Sequence, residues 1–211
     1  MKKSNLRRKE FLPYEEVRNN ALLLASRIET EFGVPDVIYV SLRGGAAMGN
    51  VISEYFKLRP AGKTVFYAAV VARSYTDIGV RENVVVDGWT WPPEKLSPTE
   101  KILLVDDIFD TGRTINHLVQ LMRARGLPRK RIGVVVHDYK IRLYEKEKPA
   151  IKPDFFVRKH EIASPDEDFW IHYLSHELKS LSPEEIEHYY LAGCPQLKEV
   201  FKRLKKDGGR K

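Results

Sequence analysis

Three aspartates, Asp106, Asp107 and Asp110, follow the apolar run Ile102 to Val105, and Thr111-Gly112-Arg113-Thr114 comes directly after them. Adjacent carboxylates at the end of a buried strand repel each other and lose solvation, so a purely structural role explains them poorly. Sugar hydroxyls or a metal ion would stabilise them. The loop that follows offers successive backbone N–H groups, two hydroxyls and the positive end of a helix, a nest suited to a terminal phosphate. Helix capping would account for Asp110 or Thr111 alone, but not for Asp106 and Asp107 as well. Strand alternation would send those two side chains to opposite faces. Both can reach one ligand only if the backbone leaves the sheet there.

A second candidate lies after the run Asp36 to Leu42, where Arg43-Gly44-Gly45 joins two backbone-exposing glycines to a guanidinium. Such a turn lets N–H groups approach an anion.

These residues need a scaffold that brings strand ends together. Val17, Ala21, Leu24, Ile28 and Phe32 recur with a helical period across Glu15 to Phe32, and Gly33 stops the helix. Short apolar runs at 36–42, 64–72, 101–105 and 131–136 read as buried strands, with helical patterns at 46–57 and 114–125 between them. That alternation predicts an α/β fold with a doubly wound parallel sheet, whose ligands bind at the carboxyl ends of the strands. Past Pro165 the pattern changes. Ser182-Pro183-Glu184-Glu185 starts one helix, and Leu197, Phe201 and Leu204 mark another, so the last quarter reads as a helical appendage.

The 211 residues suit one domain with a full core, and 43% hydrophobic with 31% charged residues is the balance of a folded soluble chain. One cysteine, Cys194, excludes an internal disulfide framework. The basic N-terminus lacks the apolar stretch of a signal peptide and no run reaches membrane-spanning length, so a cytoplasmic location without membrane contact is expected. The net charge of +7 gathers at the two ends and reads as solvated charge, not as a nucleic-acid surface. His172 and His176 are four apart but lack a third ligand at a suitable spacing, so no zinc site is expected. Trp89 and Trp91 read as packing or subunit-contact residues.

The segment from Ile102 to Thr114 resembles the phosphoribosyl pyrophosphate (PRPP) motif of the type I phosphoribosyltransferases. Leu42-Arg43-Gly44-Gly45 resembles the pyrophosphate loop of that family's hypoxanthine-guanine branch, and Ser74-Tyr75 its mobile catalytic loop. Further along, Lys152-Pro153-Asp154-Phe155 and Asp168-Phe169-Trp170-Ile171 are similar to segments of the purine branch. The links at 145–151 and 164–167 depart from the pattern, and they bear on base specificity.

The resemblance implies a mostly parallel five-stranded sheet flanked by helices, with residues 1–160 as core and 161–211 as base-binding segment and C-terminal helical bundle. It implies transfer of the 5-phosphoribosyl group from PRPP to a purine base, giving a purine nucleotide and pyrophosphate with Mg2+, in a homodimer. Asp106 and Asp107 would hold the ribose hydroxyls and the metal, with Glu177 a further metal ligand. Thr111, Gly112, Arg113 and Thr114 would take the 5-phosphate, and Leu42, Arg43, Gly44 and Gly45 the pyrophosphate. Catalysis would fall to Asp110 at purine N7, with Arg43, Ser74 and Tyr75. Trp170 would stack on the base while the Ile171 backbone bonds it. Lys140 would suit a 6-oxo group and Asp138 a 6-amino group. The helical tail resembles adenine enzymes of crenarchaeal type, which makes adenine the expected base and hypoxanthine or guanine the alternative. A regulator that senses PRPP or nucleotide without catalysis is the competing class.

Overall fold

The computed structural model describes residues 8–58, 64–75 and 83–207, with the side chains of Ser74, Tyr75, Asn83 and 205–207 outside the description. In chain order the elements are β1 (Lys9–Leu12), α1 (Tyr14–Glu31), β2 (Val37–Leu42), α2 (Ala46–Lys57), β3 (Phe66–Tyr75), β4 (Asn83–Trp89), β5 (Ile102–Phe109), α3 (Arg113–Ala124), β6 (Ile132–Arg142), β7 (Phe155–Ile162), β8 (Trp170–Tyr173), α4 (Pro183–Ile186) and α5 (Leu197–Asp207). No helix among the described residues is long and apolar enough to cross a membrane.

The main sheet has six strands in the order β4-β3-β2-β5-β6-β7, one more than expected. Every neighbouring pair is parallel except β3 with β4. Helices α1 and α2 cover one face through Val17, Leu24, Ile28, Met48, Ile52 and Phe56. Helix α3 covers the other through Ile115, Leu118, Val119 and Met122. The edge strands β4 and β7 escaped the sequence reading because one face of each is exposed or polar, so neither is an unbroken apolar run. Trp89 and Trp91 pack against the α3-side core, and Tyr39 hands its hydroxyl proton to the Trp91 carbonyl at 2.7 Å.

A second, two-stranded sheet pairs β1 with β8 in parallel. The N-terminal strand therefore belongs with the segment after residue 160, and a division at that residue does not follow the sheets. The last quarter is a short α4, one π-helical stretch and α5, and not a bundle. It fastens to β1 and β8. Lys9 pairs with Glu185 at 2.7 Å, Tyr189 stacks on Phe11 at 4.0 Å, and Tyr190 bonds the Glu177 carbonyl at 2.9 Å.

The alternation along β5 changes at the level of Asp106 and Asp107. Ile102 and Leu104 face α3 while Leu103 and Val105 face α1 and α2. Beyond the acids, Ile108 packs on the α1–α2 side and Phe109 on the α3 side. The alternation has slipped by one residue between Val105 and Ile108; Asp106, opposite Val136 and bonded to Ser41, keeps the α3 side, so the shared face falls to Asp107 and Ile108. Strand β6 slips in step: Val134 and Val136 face α3, and so do Tyr139 and Ile141. Because both strands slip together the register is kept, with Asp106 opposite Val136 and Ile108 opposite Asp138. The backbone does not leave the sheet, since β5 continues to Phe109.

Candidate active site

The carboxyl ends of β2, β5 and β6 meet at this slip. Asp106 hydrogen-bonds Ser41 of β2, and the Asp107 carboxylate lies against Gly44, where a Cβ would collide with it. A Cβ on Gly45 would collide with the Val105 carbonyl, so the glycine pair is what lets this loop approach β5. The Leu42–Arg43 peptide is cis. Burial, and then the Asp107 charge, raise Asp106 well above the usual carboxylate range. The pair therefore carries more negative charge than its surroundings offset. His176 Nε2 lies 3.2 Å from Asp107 Oδ2.

Behind the acids, Gly112 takes a φ of 74° and its bare Cα packs on the Phe109 ring. Helix α3 starts at Arg113 with no capping side chain at Gly112, and the Arg113 N–H points to Thr111 Oγ1 at a long 3.5 Å, so the positive end of the helix faces this loop. Asn116 ties the loop to the 145–151 link: it donates to the carbonyls of Gly112 and Ile151 and accepts from the Ile151 N–H. Between loop and link lies an open cleft of about 460 Å³, lined by Thr111, Arg113, Asn116, Lys146 and Lys148 among others. Thr114, the loop's last member, opens the first turn of α3.

A smaller cavity of about 120 Å³ brings together Asp107, Asp110, Lys140, Trp170, Ile171 and Glu177. Six residues that sequence reasoning took from four separate segments thus line one space. Trp170 is 46% exposed, its ring nitrogen held by Glu177 at 3.2 Å. The Glu177 oxygen that holds it is also 3.3 Å from the Tyr173 N–H, so this carboxylate serves the shape of the base pocket. Lys140 donates to Asp168 at 3.0 Å and to the Phe169 carbonyl, and its ammonium also lies 3.6 Å from Asp110 Oδ1. Asp168 also accepts from Arg142, and burial is outweighed by these two cations, which hold its carboxyl below the usual range.

Asp138 does not join this cavity. It is fully buried and accepts from His137 at 2.8 Å, Arg158 at 2.7 Å, His160 at 2.7 Å and Tyr173 at 2.6 Å. Burial alone would raise it, but the four donors hold it far below the ordinary carboxylate range. No acceptor capacity is left for an amino group, which corrects the assignment of Asp138 to the base. His172 lies in β8 and not in a helix, so the four-residue spacing to His176 carries no shared helix face. Ser74 and Tyr75 end β3, and their side chains lie outside the described residues.

Among the described residues no three His, Cys, Asp or Glu side chains are grouped to hold a metal. Mg2+ commonly uses one or two carboxylates with waters and substrate phosphates. The under-neutralised Asp106–Asp107 pair fits that manner of binding, with Glu177 committed to Trp170 and Tyr173.

Sequence reasoning missed Arg142, Tyr173 and His176. Their signal was positional: Arg142 sits two residues past Lys140 on the same strand face, while Tyr173 and His176 flank the Trp170 segment.

A family model described as the phosphoribosyl transferase domain matches residues 13–173. No curated protein matches the chain. The fold is similar to that of the purine phosphoribosyltransferase from Pyrococcus horikoshii, with a TM-score of 0.60 and 20% identity over 82% of this chain and 97% of that one. It is also similar to the Helicobacter pylori xanthine-guanine-hypoxanthine phosphoribosyltransferase (TM-score 0.52, 20% identity, 79% of this chain and 91% of that one). A Neisseria gonorrhoeae protein with bound ppGpp gives a TM-score of 0.61 at 18% identity, over 90% of this chain and 99% of that one. At these identities the likeness establishes the fold.

Proposed function

We propose, for a chain that belongs to the phosphoribosyl transferase domain family, that it transfers the 5-phosphoribosyl group from PRPP to a purine with a 6-oxo group, releasing pyrophosphate. The observation that carries this reading is the single cavity lined by Asp107, Asp110, Lys140 and Trp170 beside the uncapped start of α3. Adenine was the expectation from sequence, in part through Asp138. With Asp138 saturated, the polar group assigned to position 6 is the Lys140 ammonium that lines the cavity, a donor that matches a carbonyl.

In this reading the first N–H groups of α3, with Thr111 and Thr114, take the 5-phosphate. The Arg43-Gly44-Gly45 loop takes the pyrophosphate, and Ser74 and Tyr75 cover it. Mg2+, when bound, neutralises the diphosphate and improves it as a leaving group. As the bond to pyrophosphate breaks, the anomeric carbon becomes positive, and the fixed charges of Asp106 and Asp107 stabilise that state more than the ground state. Asp110 handles the proton at N7 while N9 attacks. Trp170 stacks on the base, and Ile171 bonds it through its main chain. The two-stranded sheet of β1 and β8 serves as the hood that carries these base contacts.

The test is nucleotide formation from PRPP and Mg2+ with adenine, hypoxanthine, guanine and xanthine offered separately. A site whose donor must find a partner should favour a 6-oxopurine over adenine by roughly 10²-fold or more in kcat/KM. Preferred turnover of adenine would overturn the base assignment, and no turnover with any purine would overturn the enzyme reading.

A further inference from the structure

Arg142 plays no part in the reading above, yet its contacts converge on one of that reading's central residues. It is the last residue of β6 and its side chain is almost wholly buried. One terminal nitrogen lies 2.6 Å from Asp110 Oδ1, and the other donates to the Asp110 main-chain carbonyl at 2.9 Å. Nε donates to Asp168 Oδ2 at 2.9 Å. The guanidinium thus grips both the side chain and the backbone of Asp110, and Asp168 in turn fixes the guanidinium. Burial opposes the charge, but Asp110 and Asp168 more than offset it and keep Arg142 protonated.

The division of contacts on Asp110 is informative. Arg142 takes Oδ1 at 2.6 Å, and Lys140 approaches the same oxygen at 3.6 Å. Among the described residues no hydrogen bond falls on Oδ2, and Asp110 lines the base cavity with its side chain 42% exposed. A half-exposed aspartate held at neither oxygen would sample several rotamers. One held by a planar fork at one oxygen and at its own carbonyl presents the other oxygen in a fixed direction.

We infer that Arg142 is a positioning residue that holds Asp110 by one carboxylate oxygen and its carbonyl, so that the second oxygen is presented to the purine. This rests on the proposed acid–base role of Asp110. Small misplacement of a reacting group can lower rate about 10²-fold without touching ground-state binding. Lysine at position 142 would keep the charge and lose the fork.

The experiment is a double-mutant cycle on the full chain with Arg142→Lys, Asp110→Asn and both together, measured as kcat and as KM for purine and PRPP, with a thermal melt of each variant. R142K is expected to lower kcat by roughly 10- to 10²-fold with both KM values within about threefold of wild type. Combined with D110N it should add little further loss, because the residue it serves is already disabled. Additive losses in kcat, or a loss confined to KM, would overturn the inference and leave Arg142 as a structural tie between β6 and Asp168. If D110N itself turns over like wild type, the acid–base role of Asp110 fails, which is a separate result visible in the single variant. Should R142K unfold at assay temperature, Arg142→Gln, which keeps an amide donor toward Asp110, enters the same cycle.

Discussion

The ends of β5 and β6 are built alike and charged differently. Each strand slips its alternation by one residue at the same level of the sheet, where Asp106 and Asp107 lie on one strand and His137 and Asp138 on the next. At the β5 end, burial and then the Asp107 charge raise Asp106, and the His176 ring lies 3.2 Å from Asp107. At the β6 end, Asp138 is fully buried but saturated by four donors and lowered. Burial is common to both sites, so burial does not distinguish a ligand site from a structural one. What separates them is whether the chain itself supplies the donors. Where it does, the acid holds the fold together; where it does not, the acid waits for a sugar hydroxyl or a cation.

The largest expected effect tests the structural side. Asp138→Ala leaves Arg158 buried against a missing partner and strips His137, His160 and Tyr173 of their acceptor. Removing one member of such a buried charged cluster typically costs about 3–5 kcal/mol. Urea unfolding of the wild type and the variant measures it. A loss below about 1 kcal/mol would mean that the cluster is not what holds β6, β7 and β8 together.

The difference between the two sites also explains what was legible in the sequence. Asp106, Asp107, Asp110 and the Thr111–Thr114 loop are neighbours in the chain, at one strand-to-helix turn to which the proposal assigns sugar and phosphate together. Their types and spacing therefore showed on the page, as did the helices α1, α2 and α3. Asp138's partners come from β6, β7 and β8, with Glu10 of β1 behind Arg158, and no local spacing records such a meeting. Asp138 was read as a base ligand for that reason: its neighbour Lys140 was visible, but its own donors were distant. The slip in alternation was hidden too, since it depends on two strands shifting together.

The second prediction tests the functional side through pH. A carboxyl raised in the folded state stays protonated there while the unfolded chain has already ionised. Its contribution is present below the unfolded value near 3.9 and is lost as pH rises toward the folded value. For Asp106 the ligand-free protein should lose about 1.4 kcal/mol per pH unit from this one group within that window. Asp138 behaves oppositely: its contribution is present above its unfolded value and is lost only as pH falls through its lowered folded value. Asp106→Asn should flatten the first slope and be as stable as wild type or more so at neutral pH, while transferase activity falls about tenfold or more. An unchanged slope in D106N would remove Asp106 as the strained member of the pair, and a pronounced loss of stability would make it structural like Asp138.

The smallest effect comes from the residue that touches both regions. Tyr173 lies between them, its hydroxyl 2.6 Å from Asp138 Oδ2 and 3.0 Å from the Asp107 carbonyl. Burial, followed by the charges of Asp138 and Asp107, raises its pKa well above the tyrosine norm, so it stays a donor. One proton is shared between two acceptors, and the shorter contact to a carboxylate takes the larger part. Tyr173→Phe keeps the ring stacked on His176 at 5.4 Å and removes one of the four donors to Asp138. Three donors remain, so the loss should be about 1.5 kcal/mol in urea unfolding, well below that of D138A. If the two acid sites are independent, kcat changes by less than about threefold, since the proton lost bonds chiefly Asp138. A tenfold fall in kcat with so small a change in stability would show that Asp138 sets the Asp107 backbone through Tyr173, and the division into a structural acid and a ligand-binding pair would have to be given up.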